Sequence, residues 1–215
     1  MTFDFKKEYK SYYLPGNKPQ IINIPKTDYL AVYGSGDPNL EDGEYKRAIA
    51  SLYGIAYTIK MSKKTEYKMK GYFDFTVPPL EGLWWQDGLE TIDYTLKDSF
   101  NWIALLRLPE FVTKQEFDWA VKEATEKKKR DFSNVKYLSI EEGLCVQCMH
   151  TGPYDNEPAT VDLMNRFIEE SGYESDISAS RRHHEIYLSD PRKTNPDRMK
   201  TVIRHPIKKR EQTCI

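Results

Sequence analysis

The stretch YLAVYGSGDP at residues 29–38 decides the fold, because it joins a strand to the turn that precedes a helix. Its first half is apolar and aromatic, and its second half has the glycine, serine, aspartate and proline typical of turns. From residue 44 to residue 60 the apolar side chains recur every three or four positions, which predicts an amphipathic helix. Further strands are predicted at residues 72–77 and 100–108, so the unit is strand, helix, strand, strand.

A second stretch, LCVQCMHTGPYDN at residues 144–156, has the same organisation. A helix is predicted after Pro158, because proline is favoured in a first helical turn, and strands are predicted at residues 183–188 and 200–204. Between the two units, Thr113 and Glu116 form a capping box that predicts the start of another helix. The sequence therefore predicts an α+β fold built by tandem duplication of one unit.

The predicted architecture has two antiparallel sheets, with helices packed on one face and a ligand groove between the halves. The chain is interpreted as one domain over residues 1–215. Its two pseudo-symmetric halves span about residues 20–98 and 99–207, and residues 1–19 form a polar lead-in.

The bulk composition excludes several classes of protein. The 215 residues carry a formal net charge of −1, so no global field attracts the chain to nucleic acid or anionic lipid. No apolar run approaches the roughly 20 residues of a membrane span, and the first ten residues lack the apolar stretch of a signal peptide. The 3 cysteines are an odd number, which argues against a disulfide framework. We therefore expect a cytoplasmic protein with no direct nucleic-acid or membrane partner, while the sequence leaves the oligomeric state open.

The common catalytic and metal-binding motifs are missing from the sequence. Cys145 and Cys148 form a lone C-x-x-C in a predicted strand, where a spacing of three places the side chains on opposite faces. The four histidines lack the spacing of a helical zinc site, and there is no Walker loop, dinucleotide fingerprint or nucleophile elbow. The sequence thus predicts no metal and no cofactor.

One strand contains a candidate functional carboxylate. Within residues 183–188, His183, Glu185 and Tyr187 share one face, while Ile186 and Leu188 share the other, which we expect to pack on the helices. A carboxylate flanked by an imidazole and a phenol could titrate, bind a cation or position a water. The alternative interpretation is a solvent-facing strand residue.

Aromatic residues are abundant, with 15 tyrosines, 9 phenylalanines and 4 tryptophans. Core packing is the default interpretation for Trp84, Trp85 and Trp102. The same rings could line a site for a flat ligand, because indoles combine a large apolar surface with a polar edge.

Four stretches resemble the stand-alone branch of the GyrI-like family. They are YFDFTVPPLEGLWW at residues 72–85, EGLCVQ at 142–147, HTGPYD at 150–155 and HEIYLSDPRK at 184–193. The resemblance implies a tandem strand–helix–strand–strand fold and a glutamate at the base of the ligand pocket, which corresponds to Glu185. Trp84, Trp85 and Trp102 match a tryptophan-rich branch whose members resemble hydrolases of cyclopropane-containing, DNA-alkylating natural products.

The resemblance implies a self-protecting enzyme that binds bulky planar molecules and opens a strained cyclopropane by adding water. In this hypothesis Glu185 activates the water, Tyr33 or Tyr154 donates a proton, and aromatic side chains with His183 bind the ligand (Trp84, Trp85, Trp102 and Tyr187). The main alternative is a non-catalytic multidrug or effector-binding protein for planar, often cationic compounds. The third is a protein that interacts with gyrase. No N-terminal helix-turn-helix segment is recognised, so a regulator acting in cis is not expected.

Overall fold

The computed structural model describes residues 2–89 and 91–211, which form one antiparallel sheet covered by helices. The strands are β1 (Gln20–Ile24), β2 (Thr27–Ser35), β3 (Leu80–Trp85), β4 (Asn101–Arg107), β5 (Lys136–Ile140), β6 (Gly143–Thr151), β7 (Tyr173–Ser175), β8 (His183–Tyr187) and β9 (Lys200–Lys209). The helices are α1 (Phe5–Glu8), α2 (Lys10–Tyr13), α3 (Glu44–Met61), α4 (Lys114–Lys128) and α5 (Glu157–Glu170). In the described ranges, none of these helices is long and apolar enough to cross a membrane.

The predicted α+β class is confirmed, and the sequence-derived helices occur where expected. Thr113 and Glu116 form the predicted capping box at the start of α4. Helix α5 has Pro158 in its first turn and ends just before Gly172. The elements β2, α3, β3, β4 and then β6, α5, β8, β9 follow the same order, with the short β7 added in the second set.

The sheet differs from the predicted pair of sheets, because the strands form one continuous array. Its order is β1-β6-β9-β8-β3-β4-β2-β5, with β7 paired to β9. The junction is the antiparallel pairing of β3 with β8, in which Gly82 lies opposite Glu185. An unpaired inner edge on each half would leave backbone donors and acceptors unsatisfied, and this pairing removes both edges. Strand β4 pairs with β2 and β3, although the division at residue 98 assigns it to the second half.

The strand predicted at residues 72–77 is wrong. This segment is irregular apart from an isolated bridge between Phe75 and Phe3, and the strand that follows α3 is instead β3. Phe75 is nevertheless buried in the main core. Pro78 and Pro79 separate the two segments, and proline cannot donate to a ladder, so pairing begins only at Leu80.

Two apolar clusters hold α3 and α5 on the same face of the sheet. Helix α3 packs on β2 and β4, and α4 packs against α3 and contacts β5 through Phe117 and Tyr137. Helix α5 packs on β6 and β9 through a smaller cluster, which contains Val146, Cys148, Met164, Ile168 and Ile203. The short helices α1 and α2 differ from the prediction of helices on one face, because residues 11–13 contact the opposite face.

Candidate functional site

The candidate site lies where β3 and β8 join the two halves of the sheet. His183, Glu185 and Tyr187 share a face, as the alternation predicted, and His184 points the other way. The face that holds Glu185 is the one covered by helices. Trp84, opposite His183, lies 5.2 Å from the Tyr45 ring of α3, measured between ring centroids.

The prediction that Glu185 points away from the packed helices is therefore wrong. On the β9 side, Glu185 pairs with Ile203, which packs against α5. Ile186, expected to face the helices, instead lines a cleft with Tyr12 and Tyr13 on the opposite face. Both faces of β8 are covered, so the apolar residues Ile186 and Leu188 could not show which face of the strand packs on α3 and α5.

Two side chains of β8 hold the Glu185 carboxylate. His183 Nε2 lies 2.9 Å from Oε1, and the Tyr187 hydroxyl donates to Oε2 at 2.8 Å. Burial favours the neutral acid, but the hydrogen bond and charge of His183, with the hydrogen bond from Tyr187, outweigh it and lower the pKa of Glu185. Glu185 is only 7% exposed, so this site holds a carboxylate that is ionised while nearly out of contact with water.

Trp84 extends this hydrogen-bonded chain. Its indole Nε1 donates to the Tyr187 hydroxyl at 2.8 Å, and that hydroxyl donates in turn to Glu185. Gly82 leaves the necessary space, because a Cβ there would lie 2.5 Å from the indole nitrogen and 3.1 Å from the phenol oxygen. The pairing of Gly82 with Glu185 thus allows two aromatic side chains to converge on one carboxylate.

His205 supports His183 from β9. Its Nε2 lies 2.6 Å from His183 Nδ1, and burial followed by the charge of His183 lowers the pKa of His205 well below its usual value. A neutral His205 can accept a hydrogen bond from His183 Nδ1 or donate one to it, and in either case His183 Nε2 can donate to Glu185. This arrangement orients the His183 imidazole toward the carboxylate.

Glu157, which the sequence analysis missed, is the second carboxylate of the site. It begins α5, is 0% exposed, and accepts a hydrogen bond from the Tyr94 hydroxyl at 3.1 Å on Oε2. Burial, followed by the charge of Glu185, raises the pKa of Glu157 well above its usual value. A glutamate just before Pro158 is typical of an exposed first helical turn, so the local sequence gave no indication of this role.

Donor atoms of Glu157, His183 and Glu185 all lie within 4.8 Å of one another, a spacing that raises the question of a metal ion. The hydrogen bonds argue for another interpretation. Both His183 nitrogens and both Glu185 oxygens already have partners, whereas Glu157 Oε1 has none within the described part of the chain. We therefore describe the three side chains as a hydrogen-bonded cluster.

Aromatic rings surround the cluster. The Tyr154 and Tyr187 rings are 5.8 Å apart, and Phe100 lies 5.6 Å from Trp84. Trp102 is fully buried and contacts the Tyr45 ring at 4.9 Å, so it supports the wall from within the core. The structure thus brings most of the predicted residues to one place: Glu185, His183, Tyr187, Trp84, Tyr154 and, behind Tyr45, Trp102.

Tyr33 and Trp85 do not join this group. Tyr33 pairs with Ile103 and Trp85 with Asn101, and both side chains lie on the opposite face from Trp84 and Trp102. Tyr33 is 49% exposed, and Arg182 covers the Trp85 ring at 4.3 Å. The adjacent tryptophans were expected to line one groove, but neighbouring residues in a strand point to opposite sides.

The site is closed in this structure. Two small clefts, of about 20 and 10 Å³, lie on the other face of the sheet, and Glu185 borders neither. The segment after β3 covers the site, since Tyr94 reaches Glu157 and Lys97 forms an ion pair with Asp155 at 2.9 Å. Gln86 holds that segment through hydrogen bonds from its amide to Asp93, Leu96 and Ser99. Ligand access to Glu185 therefore requires movement of this cover.

Comparisons with known proteins agree with the geometry. A family model described as GyrI-like small molecule binding domain matches residues 17–208. A Listeria innocua protein described as a hydrolase has 49% identity and a TM-score of 0.87, covering 96% of this chain and 100% of its own. A second Listeria innocua protein, described as uncharacterized and conserved, has 50% identity and a TM-score of 0.90, again covering 96% and 100%.

A more distant match supports the fold alone. The EcmrR C-terminal domain has 15% identity and a TM-score of 0.54, and it covers 89% of this chain and 98% of its own. A comparison with curated proteins gives no match.

Proposed function

We propose, from the premise that this chain belongs to the GyrI-like family of small-molecule-binding domains, that it hydrolyses cyclopropane-containing alkylating compounds and so protects the cell from them. The observation that supports the proposal is the Glu185 carboxylate, held ionised beneath aromatic rings by His183 and Tyr187. The Listeria innocua protein described as a hydrolase, 49% identical over 96% of this chain, supports the same reaction class.

The reaction adds water across a strained bond. Glu185 accepts a proton from water as the water oxygen bonds to the ring carbon, and the cyclopropane carbon–carbon bond breaks. The electron pair moves to a conjugated carbonyl oxygen, which takes up a proton and becomes a hydroxyl. General-base assistance of this kind contributes about 10²–10⁴-fold, and release of ring strain lowers the remaining barrier.

Tyr154 is the tyrosine best situated to donate that proton. Its ring packs against Tyr187, the residue that hydrogen-bonds Glu185. Burial, followed by the charge of Glu185, raises the pKa of Tyr154 to about 12, so the hydroxyl keeps its proton and can donate to a developing oxyanion. Tyr33 does not fit this role, since it lies on the other face of the sheet.

The aromatic side chains supply the binding surface. Trp84, Tyr154 and Tyr187 present π-faces and edges suited to a planar polycyclic ligand. Opening of the cover formed by Tyr94 would admit the ligand, and its closure would exclude bulk water from the electrophilic ring.

Mass spectrometry of the protein incubated with a cyclopropane-containing alkylator tests the proposal. We expect a product heavier by one water, formed about 10²–10⁴-fold more slowly by Glu185→Gln. Glu169→Gln, at an exposed position of α5, is the matched control and should retain wild-type activity. Absence of a hydrated product with the wild type, or full activity of Glu185→Gln, would contradict the proposed reaction.

A non-catalytic binder of organic cations is the second candidate. A buried carboxylate beside aromatic rings suits a flat cation, because the ring faces and the carboxylate both attract positive charge. Tight binding of a cationic dye such as rhodamine 6G, with no chemical change in dye or alkylator, would favour this function over hydrolysis.

A further inference from the structure

We propose that Glu157 and Glu185 share one proton, and that an organic cation bound at this site displaces it. Binding of a cation would then release a proton to solvent, whereas binding of a neutral ligand would not. The inference rests on the proposed ligand site at Glu185 and adds a way for that site to distinguish ligand charge.

The hydrogen bonds around the pair provide the first argument. Glu185 receives donors on both oxygens, while Glu157 receives Tyr94 on Oε2 and no donor on Oε1 among the described residues. A carboxyl oxygen of Glu157 and one of Glu185 lie within 4.8 Å of each other, and both side chains are buried. Two buried carboxylates this close repel one another, so a proton on Glu157 removes the repulsion and gives the unpartnered oxygen a hydrogen to donate.

The charges near the pair provide the second argument. The titratable side chains that face it come from α3, the segment after β3, the turn before α5, β8 and β9: Tyr45, Tyr94, Tyr154, Asp155, His183, Tyr187 and His205. His183 is the imidazole that contacts the pair, while Lys97 pairs with the exposed Asp155. Even with a second proton on His183, two buried carboxylates would leave an excess negative charge, and a buried unpaired charge is costly.

The assignment of the proton follows from the two environments. Glu185 has hydrogen-bond partners in His183 and Tyr187, which favour its ionised form, and the pKa of Glu185 is lowered. Glu157 has full burial and a neighbouring negative charge, which favour its neutral form, and the pKa of Glu157 is raised. Opposite shifts in a carboxyl pair are typical of a shared proton.

A bound cation would replace the proton as the compensating positive charge. Because binding then releases a proton, the affinity for a cation should rise as pH rises, by roughly tenfold per pH unit while the free pair holds its proton. A neutral planar ligand leaves the charge balance unchanged, so its affinity should not follow this dependence.

Calorimetric titration of the full chain with rhodamine 6G tests the inference at about pH 7. The heat of binding is measured in buffers of low and high ionisation enthalpy. The slope of that heat against the ionisation enthalpy of the buffer gives the number of protons released. We expect about one proton per dye for the wild type and for Glu169→Gln. Glu157→Gln should still bind the dye but lose the slope, and the neutral dye Nile red should give no slope with the wild type.

Infrared spectroscopy tests the proton without a ligand. At about pH 7 the wild type should show a carbonyl stretch from a protonated carboxylic acid, which Glu157→Gln lacks and Glu169→Gln keeps. Absence of that band overturns the shared proton. A rhodamine 6G slope of zero, or a full slope in Glu157→Gln, overturns the displacement step. Failure of both dyes to bind contradicts the proposed function and displacement together, whereas the infrared band still reports on the shared proton separately.

Discussion

The consecutive residues His184 and Glu185 lie on opposite faces of β8, and their buried polar groups have different surroundings. On the helical face, a Glu185 oxygen lies within 4.8 Å of a second carboxylate, Glu157, and Glu185 is hydrogen-bonded to His183. On the other face, His184 lies between two carboxylates, with Glu142 2.8 Å from Nδ1 and Glu81 3.0 Å from Nε2. The helical face has a surplus of negative charge, and the other face is balanced.

Arg204 completes the balance on the His184 face. It lies 2.7 Å from Glu142 and donates to the side-chain oxygen of Gln147 and to the backbone oxygen of Tyr12. Burial opposes ionisation, but Arg204 and His184 outweigh it and lower the pKa of Glu142 to about 2. Tyr13 donates to Glu81, so the network also attaches the lead-in to the sheet.

The comparison indicates which buried polar cluster is structural and which is functional. A buried network in which each charge has an opposite partner fixes one arrangement of the chain. A cluster with unbalanced charge gains stability when a proton or a ligand completes it. This contrast supports the proposal that Glu185 binds ligand, whereas His184 stabilises the fold, although the two residues are adjacent in sequence.

The largest expected effect follows from breaking the balanced face. Arg204→Met should lower the free energy of unfolding by about 3–5 kcal/mol, because Glu142 is left buried without its main cationic partner. Lys208→Met, at an exposed position of the same strand, is the control and should change it by about 0.5 kcal/mol or less. Urea denaturation measures both variants, and equal losses would show that Arg204 does not balance a buried charge at Glu142.

The next effect is a dependence of stability on pH at His184. Burial lowers its pKa, but the charge of Glu142 outweighs burial and raises the pKa of His184 to about 9. A raised pKa stabilises the folded state fully below the unfolded value of about 6.5, and the stabilisation is lost as pH rises through about 9.

Comparison of the wild type with His184→Gln measures that dependence. The difference in unfolding free energy should be roughly 1–3 kcal/mol larger at about pH 6 than above about pH 9. A difference that stays constant over this range, or grows with pH, would show that His184 is not held charged between Glu81 and Glu142.

The smallest effect distinguishes the two adjacent tryptophans. Trp84→Phe removes the donor to Tyr187 and should weaken rhodamine 6G binding about fivefold, equivalent to about 1 kcal/mol. Trp85→Phe, the matched change on the other face, should leave binding within about twofold. Fluorescence titration measures the affinity of both variants. A larger loss for Trp85→Phe would place the ligand on the face opposite to Glu185 and contradict the account.

Much of the fold was predictable, because its longer elements have strong local patterns. The periodicity of α3 and the capping box of α4 depend on residues close in sequence. Strand alternation also grouped His183, Glu185 and Tyr187 correctly. It could not identify the side that faces the helices, because α1 and α2 have four residues each, too few for periodicity to reveal that they cover the other face.

The site was less predictable, because its decisive contacts join distant segments. Glu157, which Tyr94 contacts, comes near Glu185 only after β8 pairs with β3 and α5 packs on the sheet. Trp84 and Trp85 are adjacent in β3, so their side chains lie on opposite faces of the sheet. Because the strand was predicted at residues 72–77, the sequence did not assign either tryptophan to a face. Long-range pairing, and not local propensity, decides which side chains share the cluster.

A crystal structure of the complex with rhodamine 6G tests the central claim most directly. We predict dye density on the helical face above the β3–β8 junction, against the Glu185 carboxylate and the Tyr187 ring, with the Tyr94 segment displaced. Density in the cleft lined by Tyr13, Glu81 and Arg204 on the opposite face, with the Glu185 cluster still closed, would contradict the account.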